Sequence, residues 1–491
     1  MTSLPSPSTA ETHISWLFFT DDRAYKQLKP VTLPFLDHAE PERRMASIDR
    51  ELELNRAISP DVYLGTADVV ENGVTVDRLL VMQRLPSDRR LSELVEDTRL
   101  PFFLRGVART VATLHASRPP VFEAPSASRA ALAANWNENF ETMREFVGPI
   151  IDPDEFATVE RLVTDYLHDR DELFEQRIAG GYVRDVHGDL TAEDVYCLDD
   201  GPRLIDCLAF NDEWRVIDVL NDIAFLVMDM HRLAGPETAE RLMSWYQEYS
   251  NEHHPPSLAH HYVAYRAHVR AKIACLRADQ GDLAQIRLAR QYHALAAHHA
   301  QRARIRLVVV GGAPGTGKTT VARSVSERFA IALLSSDDIR KSVTATPFDA
   351  RCVAEPDQGV YRPEAKAAVY DEVFREAEAL LRSGRSAVVD ATWPDDRGRQ
   401  ELRDLAARCG AEIVELECRL DTDVARQRAA RRLAEGTSTS DATPEVVTLL
   451  AARRDPWPEA TALDTGGPLA ATVALAGAAI NRSPHRHPAF G

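Results

Sequence analysis

The sequence predicts a chain of two kinds of architecture: an α+β part of two lobes, then an α/β part built on a parallel sheet with helices on both faces. Three observations predict it. Residues 14–85 alternate short apolar strands with one amphipathic helix. Residues 116–302 are mostly helical tracts, interrupted by one non-helical insert. From residue 305 onward strand and helix patterns alternate, as in βαβ units. At 491 residues the chain is too long for one core. The expected organisation is a flexible N-terminus over 1–10, a small lobe and hinge over 11–115, a helical lobe over 116–302, a third region over 303–481 and a loose tail over 482–491.

A formal net charge of −17 argues against a general nucleic-acid binder or a binder of anionic membranes. The six cysteines (Cys197, Cys207, Cys275, Cys352, Cys409 and Cys418) form no C-x-x-C pair, so neither a zinc-ligand pair nor a disulfide framework is expected. That usage suits a reducing cytoplasm. No apolar run approaches the ~20 residues of a membrane helix. Nothing in the sequence fixes an oligomeric state.

In the first region, residues 14–20 and 23–29 read as strands joined by a turn at Asp21-Asp22. Residues 42–57 carry helical spacing, with Met45, Ile48, Leu52 and Ala57 near one face. Residues 62–68 and 74–85 read as strands around an Asn72-Gly73 turn. Strands, one helix, then strands admits the small lobe of a kinase. Such a lobe grips phosphates with a strand lysine held by a helix glutamate. Lys26 is the candidate lysine, and Glu51 or Glu53 the candidate glutamate.

In the second region helical tracts are expected near 127–147, 154–178, 214–232, 237–250, 257–279 and 283–302. The insert over 182–210 reads YVRDVHGDLTAEDVYCLDDGPRLIDCLAF. His187, Asp189 and Asp194 follow the H-x-D-x-x-x-x-N spacing of a kinase catalytic loop, and Asp206 follows on a second short strand. In that chemistry Asp189 accepts the proton of a substrate hydroxyl, and Asp194 and Asp206 hold Mg²⁺ against the nucleotide phosphates. The pairs His253-His254, His260-His261 and His298-His299 lack carboxylate spacing, and adjacent residues point apart on a helix, so they read as solvated surface histidines.

HGDL with a downstream aspartate resembles the aminoglycoside phosphotransferase family, whose fold is that of the protein kinases. The resemblance runs over about residues 11–300. AYK, PDVYLG and FNDEWRVIDVLNDIAFLVMD resemble a bacterial branch in which this domain is fused to a phosphate-loop kinase domain, and that fusion covers nearly the whole chain. The resemblance implies roles for Lys26 and Glu51 in ATP binding and offers residues 82–84, with Met82, as the hinge beside the adenine. It suggests an aminoglycoside as acceptor. Two departures stand out: Asp194 occupies a position where the family has Asn, and Thr191 one where many members have His. Asp206-Cys207-Leu208 is not D-F-G, although the family needs only the aspartate.

The third region opens with LVVVGGAPGTGKTTVAR over 307–323. Gly312, Gly317, Lys318 and Thr319 match the G-x-x-x-x-G-K-T phosphate-binding loop between a strand and a helix. Gly312, Gly315 and Gly317 let amides converge on one anion, Lys318 adds a full charge, and Thr319 offers a hydroxyl to Mg²⁺, with Thr320 beside it. Strands are expected at 305–310, 331–335, 385–391 and 411–418, and helices at 317–329, 337–345, 361–382, 396–408 and 421–434. Sites in such sheets lie at the carboxyl ends of strands. There Asp337 and Arg340 resemble, by position, the aspartate and arginine of small-molecule and polynucleotide kinases of this fold, which implies a base for the acceptor hydroxyl and an anion binder; as a local reading Asp337 is an N-cap. Asp390 reads as an organiser of Mg²⁺, and Thr392 as a substrate contact. Of Arg426, Arg428, Arg431 and Arg432, at least one is expected at the phosphates, and Arg428 is the candidate. Residues 435–441 resemble a lid, and 344–364 a cover over the acceptor.

The sequence therefore predicts a protein-kinase-like domain joined to a P-loop domain of the AAA, zeta-toxin and polynucleotide-kinase type. Both would use ATP and Mg²⁺ on a small-molecule hydroxyl acceptor. Two other readings stay open: a non-catalytic kinase-like sensor that regulates the P-loop domain, and a P-loop ATPase switch.

Overall fold

The computed structural model describes residues 8–12, 14–33, 36–343, 362–435 and 443–482. The expected cover over 344–364 and lid over 435–441 lie almost wholly outside those residues, as do Cys352 and the tail beyond residue 482. The chain forms two compact units. One comprises Met1–Glu160, Phe174–His254 and Ala259–Ala300; the other comprises Arg161–Leu173, Pro255–Leu258 and Gln301–Gly491.

The first unit begins with strands β1 (Ser8–Glu11), β2 (Ser15–Phe19), β3 (Arg23–Leu28), β4 (Thr32–Leu33) and β5 (Leu36–Asp37). Thus a strand begins inside the segment expected to be flexible. Helix α1 (Pro41–Arg56) follows, with Pro41 and Glu42 suited to its start. Arg44, Ile48, Glu51 and Asn55 form its buried stripe, so Glu51 faces inward and Glu53 does not. Strands β6 (Tyr63–Glu71) and β7 (Val74–Gln83) form a hairpin. Both turn residues, Asn72 and Gly73, have positive φ, as the tight turn requires. The sheet runs β1-β2-β3-β7-β6, antiparallel throughout. Leu28, Ile48, Val62, Tyr63 and Leu80 fill the core beneath it.

The helical lobe contains α2 (Leu100–Ser117), α3 (Arg129–Met143), α4 (Pro153–Leu167) and α5 (Asp171–Ala179). The insert supplies β8 (Val183–Asp185), β9 (Val195–Leu198), β10 (Gly201–Leu204) and β11 (Val216–Asp218). Then come α6 (Val219–Ala234), α7 (Pro236–Ser250), α8 (Pro256–Asp279) and α9 (Gln285–Arg302). Three expectations change here. Helix α2 crosses the boundary set at 115/116; its buried stripe includes Phe103, Val107, Val111 and Leu114. The helix expected over 154–178 is two, parted where Asp169 takes φ +51°. The helix expected from 214 starts at Val219, because Asp218 caps it by accepting from the Leu220 amide at 2.9 Å, and the residues before it pair with β8.

The second unit alternates β12 (Arg306–Gly311), α10 (Lys318–Phe329), β13 (Ala332–Ser335), α11 (Ser336–Val343), α12 (Pro363–Arg382), β14 (Ala387–Asp390), α13 (Asp396–Arg408), β15 (Glu412–Arg419), α14 (Thr422–Glu435), α15 (Pro444–Ala452), β16 (Thr461–Asp464) and α16 (Leu469–Asn481). Its sheet runs β13-β14-β12-β15-β16, all parallel. Central β12 is a continuous apolar run because both its faces are covered, and Val308, Val309 and Val310 have no exposed surface. Val308 and Val310 pack with Val321 and Val325 of α10 and Ile480 of α16. Helices α12 and α13 cover the sheet elsewhere, against β14 and β15. The last three elements were not foreseen. The five described cysteines are buried and free. No described helix is long and apolar enough to cross a membrane.

Candidate functional site

In the first unit the two halves of the expected site meet at Lys26. Its Nζ donates to Glu51 Oε1 and to Asp206 Oδ1, each at 2.8 Å. Burial works against the lysine charge, but the two carboxylates outweigh it and raise its pKa. Lys26 in turn holds Asp206 below the ordinary aspartate range, whereas burial keeps Glu51 above the glutamate range. Glu53 is not the partner; it pairs with Arg50 on the exposed side of α1.

Asp206 is fixed by its backbone. Its φ is +58°, a strained conformation for a non-glycine residue and one that recurs at functional sites. The Asp206 amide donates to Tyr63 Oη and the Cys207 amide to Asn55 Oδ1, both at 2.8 Å. Ser59 Oγ donates to the Leu204 carbonyl at 2.7 Å. The last residue of the α1 stripe, Asn55, together with Ser59 and Tyr63 beyond it, thus holds the segment that carries Asp206.

The catalytic-loop candidate is held from beneath. Asp222 on α6 accepts from the Gly188 amide at 2.7 Å and the His187 amide at 3.3 Å. His115 Nε2 lies 3.0 Å from the same carboxylate, and Tyr246 Oη lies 2.8 Å from His115 Nδ1. Burial pushes the Asp222 carboxyl up, but His115 and the Gly188 amide prevail and its pKa is low. Gly188 has φ +84°, and a Cβ there would lie 3.3 Å from the Trp214 carbonyl, so a side chain would be both strained and crowded. His187 is fully buried, with Nε2 2.8 Å from the Ile205 carbonyl next to Asp206.

Asp189 and Asp194 complete this site. Burial pushes the Asp189 carboxyl up, against the pull of Arg270, Arg266 and His187. Asp194 is pushed well up by burial and by the charges of Asp206 and Asp189. Its Oδ2 accepts from Thr191 Oγ1 at 2.6 Å and from the Thr191 amide at 3.2 Å, so the two departures from the family pattern are one contact. The charge of Asp206 raises both other carboxyl groups, and acidic oxygens that feel one another in this way are the hard-oxygen donor set a Mg²⁺ ion takes. The residues offered as the hinge are engaged within the small lobe. Met82 packs its side chain against the small-lobe core, and the Gln83 and Arg84 amides already donate to the Val62 and Asp22 carbonyls at 2.8 and 3.1 Å.

In the second unit the loop between β12 and α10 has Gly312, Gly315 and Gly317 at φ +148°, +87° and +89°. A Cβ on Gly312 would lie 2.6 Å from the Cys418 carbonyl, and one on Gly315 2.5 Å from the Ala425 carbonyl. Lys318 and Thr319 open α10, where amide N–H groups point out of the helix. Asp390 ends β14, beside Val310 of β12 and Ser335 of β13. Burial pushes its carboxyl up, against Lys318 and a hydrogen bond with Thr319. Its Oδ1 is buried with no hydrogen-bond partner among the described residues. A buried carboxylate oxygen left over beside a threonine hydroxyl fits a Mg²⁺ shell.

The remaining candidates are placed as follows. Asp337 lies in the first turn of α11, inside the helix and not at its cap, and forms an ion pair with Arg340. Thr392 Oγ1 lies 3.4 Å from Tyr370 Oη, and its carbonyl accepts from Arg454 Nη1 at 2.7 Å. Arg428 Nη2 donates to the Thr465 carbonyl at 3.1 Å. With Gly317, Thr320 and Thr465 it lines a cavity of about 170 Å³. Arg426 instead pairs with Asp423 at the surface. Thr320 thus borders that cavity, and Arg428 stands beside the loop at Gly317.

Sequence reasoning missed several residues. Arg454 bridges the Thr392 carbonyl and Glu417 Oε1, and borders a cavity of about 520 Å³ with Ala313, Thr316 and Trp457. Only the arginine pair before Asp455 hinted at it. Asp222 lay within a stretch quoted for the resemblance but had no role. The histidines also differ from expectation: His261 and His299 are buried, because their helices pack inside the lobe.

A family model described as an AAA domain matches residues 307–457. The chain is similar to a solved putative kinase from Chloroflexus aurantiacus, at 21% identity over 35% of this chain and 95% of that one, with a TM-score of 0.29. It is also similar to the GDP and kanamycin complex of APH(2")-IIia, at 11% identity over 61% of this chain and 94% of that one, with a TM-score of 0.39. Its own architecture is a five-stranded antiparallel sheet with a helical lobe in the first unit and a five-stranded parallel sheet with a glycine-rich loop in the second. "Uncharacterized protein Rv2004c" of Mycobacterium tuberculosis is 35% identical over 484 residues, 97% of this chain and 96% of the relative. The chain belongs to the family of that mycobacterial protein.

Proposed function

We propose that the chain is an ATP-dependent phosphotransferase with two nucleotide sites, each passing the γ-phosphoryl group of ATP to a hydroxyl of a small molecule. The observation that carries this is the Lys26 bridge between Glu51 and Asp206, a charge arrangement suited to a triphosphate and its cation. In the first unit Lys26 binds the phosphates, Asp194 and Asp206 hold Mg²⁺, and Asp189 takes the acceptor proton. In the second, the amides after Gly312, Lys318 and Arg428 bind the phosphates, Thr319 and Asp390 hold the cation, and Asp337 takes the proton. When bound, Mg²⁺ neutralises phosphate charge. The protein's own work is positioning and charge compensation, with no covalent intermediate.

Asp337 and Arg340 hold each other, so an anionic group on the acceptor is the natural means of drawing Arg340 away. For the first site an aminoglycoside, sugar, nucleoside or other polyol fits equally. A second reading is favoured by one contact: Thr191 engages Asp194 by hydroxyl and amide, which suits a domain that binds nucleotide without turning it over and regulates the other.

The test is ADP release by the purified full chain over a panel of hydroxyl compounds, with Asp189→Ala and Lys318→Ala. Two working sites predict that each substitution removes a different set of acceptors. If Asp189→Ala leaves all turnover intact, the first unit is not a kinase by this mechanism.

A further inference from the structure

Four imidazoles meet in the helical lobe, none of them among the residues assigned above. His231 comes from α6, His260 from α8, and His298 and His299 from α9. His231 Nδ1 lies 2.9 Å from His299 Nε2. The other nitrogen of His299, Nδ1, lies 2.9 Å from His260 Nδ1. One nitrogen each of His231, His298 and His299 falls within 4.8 Å of the others. Adjacent histidines do diverge on a helix, and here His299 is buried while His298 is exposed. Both rings nevertheless reach His231, at centroid distances of 5.0 and 5.4 Å.

We propose that His231, His298 and His299 bind one divalent transition-metal ion, Zn²⁺ by preference, with His260 orienting His299 from outside. The donor set is imidazole alone, which suits zinc, copper and nickel and does not suit magnesium or calcium. Tetrahedral Zn–N bonds of about 2.0–2.1 Å put ligand nitrogens about 3.3 Å apart, so the three rings need only small rotations. Three protein ligands leave the fourth position to water, reachable on the exposed His298 side. A metal-bound histidine characteristically donates its second ring N–H to a neighbour, and His260 Nδ1 stands where His299 needs that acceptor.

The backbone adds to this. His231 lies in the last turn of α6 and His299 in the last turn of α9, so two helix ends of partial negative charge converge on the site. The nearest charge on α6, Arg232, is already paired with Asp229. The ion would clamp α6 to α9. Helix α6 also carries Asp222 and Asp229, which hold the amides of Gly188 and Ala192. The ion would therefore brace the helix beneath the catalytic-loop segment, and the site stands or falls independently of the phosphotransferase reading.

The test uses the untagged full chain, stripped with a chelator and titrated with ZnSO₄ by calorimetry without nucleotide or Mg²⁺. One ion per chain and a raised melting temperature are expected. Co²⁺ should give visible bands of a four-coordinate site without a thiolate charge-transfer band. His298→Ala, at an exposed position, should abolish uptake without unfolding the chain. His260→Ala should weaken it about 10- to 100-fold. His253→Ala, exposed elsewhere, should bind as the parent does, and loss of uptake there would move the ion to another site and end the proposal. Absence of saturable Zn²⁺ uptake, or undiminished uptake by His298→Ala, would leave only a hydrogen-bonded imidazole relay and would equally end it.

Discussion

Replacing Lys26 by methionine isolates the cost of a buried carboxylate left alone. Lys26 and Glu51 side chains are only 12% and 8% exposed, whereas Asp206 is 55% exposed and water compensates it. The penalty in Lys26→Met therefore falls on Glu51. A stranded glutamate escapes by taking a proton, and the cost of that proton caps the loss. Each pH unit above the ordinary value of 4.5 costs about 1.4 kcal/mol, so the cap is ~3.4 kcal/mol at pH 7 and ~1.4 kcal/mol at pH 5.5.

The sign follows from proton binding. Burial raises the folded pKa of Glu51 against the pull of Lys26, and in Lys26→Met that pull is gone and the pKa rises further, so in this window the variant's folded state holds a proton the unfolded chain has released. Stability then falls as pH rises from about 4.5 toward the folded value. Urea unfolding of Lys26→Met against the parent at pH 5.5 and 7.5, followed by circular dichroism, should show the larger deficit at pH 7.5. Adding Glu51→Gln should restore much of it, with a coupling energy of about 1–3 kcal/mol. A deficit that is absent, or equal at both pH values and untouched by Glu51→Gln, would refute the reasoning.

Two further outcomes are expected. Asp222→Asn removes a charged acceptor from the His187 and Gly188 amides, worth about 1.5–3 kcal/mol. Hydrogen–deuterium exchange at residues 187–188 should rise about 10- to 150-fold while β3 and α1 are unchanged. Asp390→Asn removes the charge of a carboxyl group whose Oδ1 is buried without a hydrogen-bond partner among the described residues. The Mg²⁺ concentration for half-maximal nucleotide protection against thermal unfolding of the second unit should rise at least about tenfold, ~1.4 kcal/mol.

What was legible in the sequence was local. The phosphate loop needs glycines at fixed spacing because its main chain touches Cys418 and Ala425, and that need is written in consecutive residues. His187, Asp189 and Asp206 were legible for the same reason. Choosing Glu51 over Glu53 needed only the stripe of α1, which the resemblance had already favoured. The rest depended on distant partners. Strand β16 has four residues, too few to show a period, and exists because β15 offers it an edge. Helix α16 is apolar and rich in alanine, so it shows no polar face. The start of α6 depends on β8, some thirty residues earlier. The histidine cluster draws on three helices, and adjacency within one of them pointed the wrong way.

Gly315 has a consequence beyond its own turn. Its bare α-carbon lets the loop lie against the Ala425 carbonyl of α14, and Arg428 stands one helical turn further along that helix. The guanidinium is thus indexed to the cradle by direct abutment of main chain on main chain. It does not have to be ferried in by a separate flap. Any side chain grown at position 315 would shift loop and arginine together, because both are referenced to that single contact.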